Sequence, residues 1–198
     1  MSVVVVDSGG ANISSVLHAL RRLGVEPRFT ADATAISGAS RVLLPGVGAA
    51  GRAMEILRAS GLVSIIRRLR QPVLGICLGM QLLFESSEED EADMLGIIPA
   101  RLTRLPESPG CRVPHMGWNR LEMIRADPFT EPLNGQWFYF VHSYAAPIGA
   151  WTLASSCHGR KFSAVVRERN FYGAQFHPER SAAAGARLLR SFLDRDLK

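Results

Sequence analysis

Residues 3–6 are four consecutive valines ending at Asp7, an uninterrupted β-branched run that predicts a strand buried on both faces. Val16, Leu17, Leu20 and Leu23 then recur at helical spacing, with Asn12 or Ser14 placed to cap the helix and Gly24 to stop it. The same rhythm continues down the chain. Residues 27–30 predict a second strand, and residues 41–44 a third that runs into the turn Pro45-Gly46-Val47-Gly48. Helical patterns over 54–57 and 62–69 end at Pro72, residues 73–76 form a fourth apolar strand, and residues 78–84 have the composition of a helix. Strand alternating with helix predicts an α/β fold with a central, mostly parallel sheet flanked by helices.

The second half has a different texture. Residues 97–102, 137–141, 151–154, 162–166 and 172–176 are short strand candidates with no helical pattern between them, which predicts a smaller antiparallel or mixed region. A last helix over 182–193 puts Ala186, Leu189 and Leu193 on one face. The acidic run 85–93 is expected to be a solvated loop. With 198 residues and neither a linker nor a repeat, the expectation is one domain over 1–198.

Composition narrows the function classes. A net charge of +5 admits nucleic acid as a partner, but the basic residues are scattered, and Arg67, Arg68 and Arg70 close a helical pattern where cations suit the helix dipole. No nucleic-acid partner is expected. No apolar stretch approaches the roughly 20 residues of a membrane helix, and the first residues resemble no leader, so neither membrane association nor export from the cytoplasm is expected. Cys77, Cys111 and Cys157 form no CxxC pair, which points to free thiols and not to a disulfide framework or zinc cluster. No metal and no cofactor is expected.

One of those thiols sits in a chemical setting. Gly75-Ile76-Cys77-Leu78-Gly79 places a cysteine between an apolar strand and a helix, with glycines two residues to either side. This is the cysteine form of a nucleophile elbow: the turn is too tight for Cβ atoms at the flanking positions, and the helix N-terminus favours the thiolate. A buried core cysteine is the alternative. A thiolate nucleophile needs a base and a group to orient it, and Gln175-Phe176-His177-Pro178-Glu179 offers both if His177 is extended and Glu179 projects to the same side. Donors for a developing oxyanion are expected from the amide of Leu78 and from Val47 and Gly48 in the glycine turn.

PGVG, GICLGMQ and QFHPE, in that order and at these separations, resemble the class I (triad) glutamine amidotransferases. Within them, PHMGWN at 114–119, YFVHSY at 139–144 and FYGAQFHPERS at 171–181 are similar to the glutaminase subunits of imidazole glycerol phosphate synthases. Glutaminases of anthranilate or aminodeoxychorismate synthesis usually carry His at the position of Met80 and lack PHMGWN. The resemblance implies hydrolysis of L-glutamine through a thioester on Cys77, with His177 as base and then acid and Glu179 orienting it. It implies that Gly46, Gly48, Gln81, Ser143 and Tyr144 hold the substrate. The ammonia would pass to a separate (β/α)8-barrel cyclase subunit, docked through a face with Asn12 and Trp118, that makes imidazole glycerol phosphate and AICAR in histidine biosynthesis. Alternatives are a glutaminase subunit of another amidotransferase or a PfpI-like cysteine hydrolase. Many relatives open with D-Y-G and a following G-N, where this chain has Asp7-Ser8-Gly9-Gly10-Ala11-Asn12.

Overall fold

Val3 and Val5 pack into one apolar layer and Val4 and Val6 into the other, which is the two-sided burial expected of a valine run at the heart of a parallel sheet. A computed structural model describes residues 1–9 and 13–194. Its first half contains β1 (Val3–Val6), α1 (Ile13–Arg22), β2 (Arg28–Thr30), α2 (Ala33–Gly38), β3 (Arg41–Gly46), α3 (Ala50–Ala59), α4 (Leu62–Arg68), β4 (Val73–Cys77) and α5 (Leu78–Gln81). Then come β5 (Phe84–Ser87), β6 (Ile98–Arg104), β7 (His115–Arg120), β8 (Glu122–Met123), β9 (Trp137–His142) and β10 (Tyr144–Ala145). The chain closes with β11 (Thr152–His158), β12 (Arg160–Glu168), β13 (Phe171–Ala174) and α6 (Ala182–Asp194).

The main sheet has the order β2-β1-β3-β4-β13-β12-β11-β8. Its first five strands run parallel, and β12, β11 and β8 extend it antiparallel. Val16 and Leu20 of α1 and Leu188, Leu189 and Phe192 of α6 cover one face; Ile36, Met54, Leu57, Leu62 and Ile66 cover the other. β4 is thus an inner strand covered on both sides, and its carboxyl end is where an open α/β sheet presents ligands.

Two smaller sheets, β10-β6-β5 and the ribbon β7-β9, stand beside that end. Phe138 and Phe140 on the inner face of β9 are fully buried against Phe176, with ring centroids 4.1 and 5.5 Å apart. Burying each ring is worth about 1.5–3 kcal/mol, so the ribbon is fastened to the strand end that precedes His177.

The structure corrects several expectations. The helix over 78–84 is a single turn, after which Phe84 enters a strand; Leu82-Leu83-Phe84 is apolar throughout and carries no periodicity to separate helix from buried strand. The acidic run is solvated as expected, since Glu85, Glu88, Asp90, Glu91 and Asp93 are exposed, but it is tied down and not a plain loop. Glu88 accepts from the Arg104 amide at 2.7 Å, Glu89 from the Ala50 amide at 2.8 Å, and Glu91 pairs with Arg101 at 2.7 Å. PHMGWN supplies a strand, β7, where none was expected. In α6 the buried stripe is Leu188, Leu189, Phe192 and Leu193, and Ala186 lies at its edge, half-exposed.

Candidate active site

Cys77 closes β4 with φ 52° and ψ −109°, a backbone region that costs energy for any residue with a Cβ. Close packing on both sides holds it there. A Cβ on Gly75 would come within 2.5 Å of the Gly79 carbonyl oxygen, and a Cβ on Gly79 would overlap the Leu44 carbonyl oxygen of β3. The sulfur lies 3.7 Å from the Val141 carbonyl oxygen and 3.9 Å from Gln175 Nε2.

His177 Nδ1 and Glu179 Oε1 are 2.8 Å apart, and both side chains are almost completely buried. The segment reaches this arrangement differently from the expected extended run. Only His177 is extended; residues 178–180 form a 3-10 turn, closed by the Arg180 amide on the His177 carbonyl at 3.0 Å, that folds Glu179 back. The turn is clamped by α6, because a Cβ on Gly185 would overlap the Pro178 carbonyl oxygen. It is tied to β9 as well: the His177 amide donates to the Tyr139 carbonyl at 2.9 Å, and Ser181 Oγ accepts from the Tyr139 amide at 3.0 Å while donating to the His177 carbonyl at 2.7 Å.

Burial by itself would lower the His177 pKa, but its hydrogen bonds with Cys77 and Glu179, and their negative charge, outweigh burial and hold it at about 10. Folding therefore raises this pKa above its ordinary value of 6.5. The stability it contributes is complete below about pH 6.5 and is lost as pH rises through about 10. In an NMR titration His177 should keep its proton at pH 8 and release it near pH 10, and Cys77→Ala should move that midpoint down, since two raising causes leave with the sulfur. An unchanged midpoint in Cys77→Ala would show that sulfur and imidazole do not interact.

A cleft of about 240 Å³ opens over Cys77, a size that suits an amino acid better than a drug-sized ligand. Val47, Gly48, Cys77, Leu78, Gln81, Ser143, Tyr144 and His177, all singled out from the sequence, line it together. Gly46 lies behind the wall in β3, where a Cβ would press on Leu78 at 3.1 Å. Glu179 stands behind His177, outside the cleft lining. Trp118 is away from the cleft on the outer face of the ribbon, and Asn12 lies outside the described residues.

Sequence reasoning missed several residues here. Glu89 lines the cleft from the acidic run, and burial raises its pKa more than the Ala50 amide lowers it. Gln175, fully buried, accepts from Gln81 Nε2 at 3.1 Å and so joins Gln81 to the sulfur; its place in QFHPE was the available signal. Ser8 is buried and donates its hydroxyl to the Pro45 carbonyl at 2.9 Å, fixing the start of the glycine turn. Among the described residues no three His, Cys, Asp or Glu side chains are grouped to hold a metal ion, and no helix is long and apolar enough to cross a membrane.

The profile of the class-I glutamine amidotransferases matches residues 4–195. The chain belongs to the class-I glutamine amidotransferase family. The imidazole glycerol phosphate synthase subunit HisH of Xylella fastidiosa strain Temecula1 is 54% identical to this amidotransferase over 195 residues, covering 98% of each chain. That of Xanthomonas axonopodis pv. citri is 52% identical over 193 residues, covering 97% of this chain and 96% of the other. Among solved structures, a glutamine amidotransferase superposes with a TM-score of 0.74 at 22% identity over 96% of both chains. A glutamine amidotransferase from Thermotoga maritima gives 0.64 at 19% identity, covering 97% of this chain and 82% of that one. At such identities the structural likeness speaks to the fold, which is the amidotransferase α/β fold with its smaller sheets.

Proposed function

We infer that residues 1–198 act as one amidotransferase domain, the glutaminase subunit of an imidazole glycerol phosphate synthase in the cytoplasm. It hydrolyses L-glutamine and delivers the ammonia to a separate (β/α)8-barrel cyclase subunit for histidine biosynthesis. Relatives more than half identical over nearly the whole length carry that subunit name, which favours it over the sibling glutaminases and over a PfpI-like hydrolase. The observation that carries the chemistry is His177, bonded to Glu179 on one side and coupled to Cys77 on the other at the floor of a cleft of amino-acid size.

Glutamine enters with its carboxamide over Cys77. The sulfur, its proton held by His177, attacks the carboxamide carbon, and the oxygen that becomes negative is met by backbone N–H groups of Leu78 and of the Val47-Gly48 turn. His177 gives its proton to the departing nitrogen, so ammonia leaves and a thioester remains. Water then adds, His177 takes its proton and returns it to the sulfur as glutamate leaves, and Glu179 stabilises the imidazolium throughout. Ser143, Tyr144 and Gln81 hold the amino-acid end. The half-buried Glu89 carboxylate supplies the charge that matches a substrate ammonium group.

The partner fits the outer face of the β7-β9 ribbon. Alternation along the two strands puts Phe138, Phe140, His115 and His142 inward and leaves Met116, Trp118 and Trp137 outward, at 64, 51 and 56% exposure. Single exposed apolar residues need no explanation, but three large ones on one face do. We assign Trp118, edge-on to Tyr139 at 6.1 Å, as an anchor there. Assayed with the cyclase subunit and its nucleotide ligand, the chain should hydrolyse glutamine at full rate, and without them only slowly. Trp118→Ala should weaken association by about 2 kcal/mol or more, or let ammonia escape, with circular dichroism unchanged. No glutamine hydrolysis in either assay would overturn the proposed reaction. An unchanged affinity together with an unchanged ratio of glutamine consumed to product formed would remove Trp118 from the interface.

A further inference from the structure

Two buried histidines that the glutaminase reaction does not use connect the ribbon to the cleft. His142 lines the cleft, and its Nδ1 lies 2.8 Å from the Tyr144 carbonyl oxygen. A carbonyl oxygen only accepts, so His142 must carry its proton on Nδ1 and present a bare Nε2 on the other side. That nitrogen is 3.0 Å from His115 Nδ1, which must then be the donor. His115 Nε2 is left as an acceptor, and Asn119 Nδ2 stands 3.3 Å from it.

The orientation of the Asn119 amide is set independently of the histidines: its oxygen accepts from the Arg120 amide at 2.8 Å, and its nitrogen donates to the Cys157 carbonyl at 2.8 Å. Every donor therefore points one way, from Asn119 through His115 and His142 to the Tyr144 carbonyl. Gln81 Nε2 donates to the same carbonyl oxygen at 3.0 Å.

We propose that Asn119, His115 and His142 are positioning residues for the substrate cleft: a one-directional hydrogen-bond chain that transmits the position of β7 to the Tyr144 carbonyl and through it to Gln81. The inference rests on the cleft being the glutamine site. A proton added to either ring would set two donors facing each other within the chain. In keeping with that, burial pushes the His115 pKa down to about 4, aided by the charge of His158, and that of His142 to about 3, against the pull of the Tyr144 carbonyl. Both rings are thus neutral across the working pH range. His158 stacks on His115 with centroids 4.1 Å apart and is itself fixed by its Nε2 on the Arg112 carbonyl at 2.8 Å, so the His115 ring has little room to turn. Asn119 shares β7 with Trp118, so whatever moves the outer face of the ribbon moves the first donor of the chain.

The chain ends on Tyr144 and Gln81, groups that hold glutamine, and reaches the sulfur only one link further on, through Gln175, so its loss should appear mainly in KM. In the complex with the cyclase subunit, Asn119→Ala and His115→Phe should each raise the glutamine KM about fivefold, the ratio one neutral hydrogen bond is worth, with kcat changed less than about twofold. Activity on free ammonia should not change. The unmodified protein gives a second test that needs no variant: with only five histidines in the sequence, ¹⁵N-histidine NMR should show His115 and His142 as Nδ1–H tautomers. An Nε2–H tautomer at either ring, or an unchanged KM in both variants, overturns the chain while leaving the glutamine reading intact. A wild-type complex that hydrolyses no glutamine overturns that reading and the chain's purpose with it.

Discussion

Cys77→Ala should abolish glutamine-dependent synthesis by the assembled enzyme and leave its use of free ammonia at high pH intact. In the proposed reaction the thioester forms on Cys77, which alone of the three cysteines closes a strand at a strained turn, with His177 beside it. Removing the nucleophile of such a unit costs about three orders of magnitude in kcat or more. Cys111, half-buried beside Gly159, and Cys157, exposed opposite Lys161 on the β11-β12 hairpin, touch neither His177 nor the cleft. Cys111→Ala and Cys157→Ala should keep most of the activity. Steady-state assays with glutamine and with ammonium salts separate these outcomes, and glutamine turnover surviving in Cys77→Ala but lost in Cys157→Ala would refute the triad.

Gly79→Ala should be strongly destabilising. Its Cβ would occupy the position of the Leu44 carbonyl oxygen and sit 3.4 Å from the Pro45 carbonyl carbon, so backbone and not a flexible side chain would have to yield. Relief requires parting β3 from the turn after β4, where Gly46 pairs with Cys77, and that distorts the glycine turn and the elbow together. Overpacking of this kind costs about 3 kcal/mol or more. For a chain of this length that lowers the melting temperature by roughly 6–12 °C. Gly38→Ala is the control: a Cβ there meets nothing within 4 Å and the backbone needs no positive φ, so stability should hold or rise by a few tenths of a kcal/mol, about the entropy removed from the unfolded chain. Thermal unfolding of the two variants side by side checks the contrast. Equal melting temperatures would mean that the elbow has slack this structure does not show.

Residue type and short spacing were enough for one part of this protein. The valine run, the helical periods and the break at Pro72 carry the parallel half of the sheet, because two-sided burial demands continuous apolar strands and each amphipathic helix needs a face to cover. Gly75, Cys77 and Gly79 were legible as an elbow because tight approach excludes Cβ atoms at set distances along the chain, and His177 with Glu179 were legible as a base and its orienting carboxylate, although the 3-10 turn that folds Glu179 back was not. The remainder depends on chain segments far apart, which meet only on folding. Phe84 became strand and not helix because it pairs with Ile98, a partner that local pattern cannot name. Glu89 came to the cleft because the α3 amide of Ala50 anchors its carboxylate, and nothing in a run of acids distinguishes that one. The direction of the Asn119-His115-His142 chain follows from carbonyls of Cys157 and Tyr144, which every residue possesses and no side-chain pattern announces. Backbone groups are the same at every position, so what they hold in place is written in the fold and not in the letters.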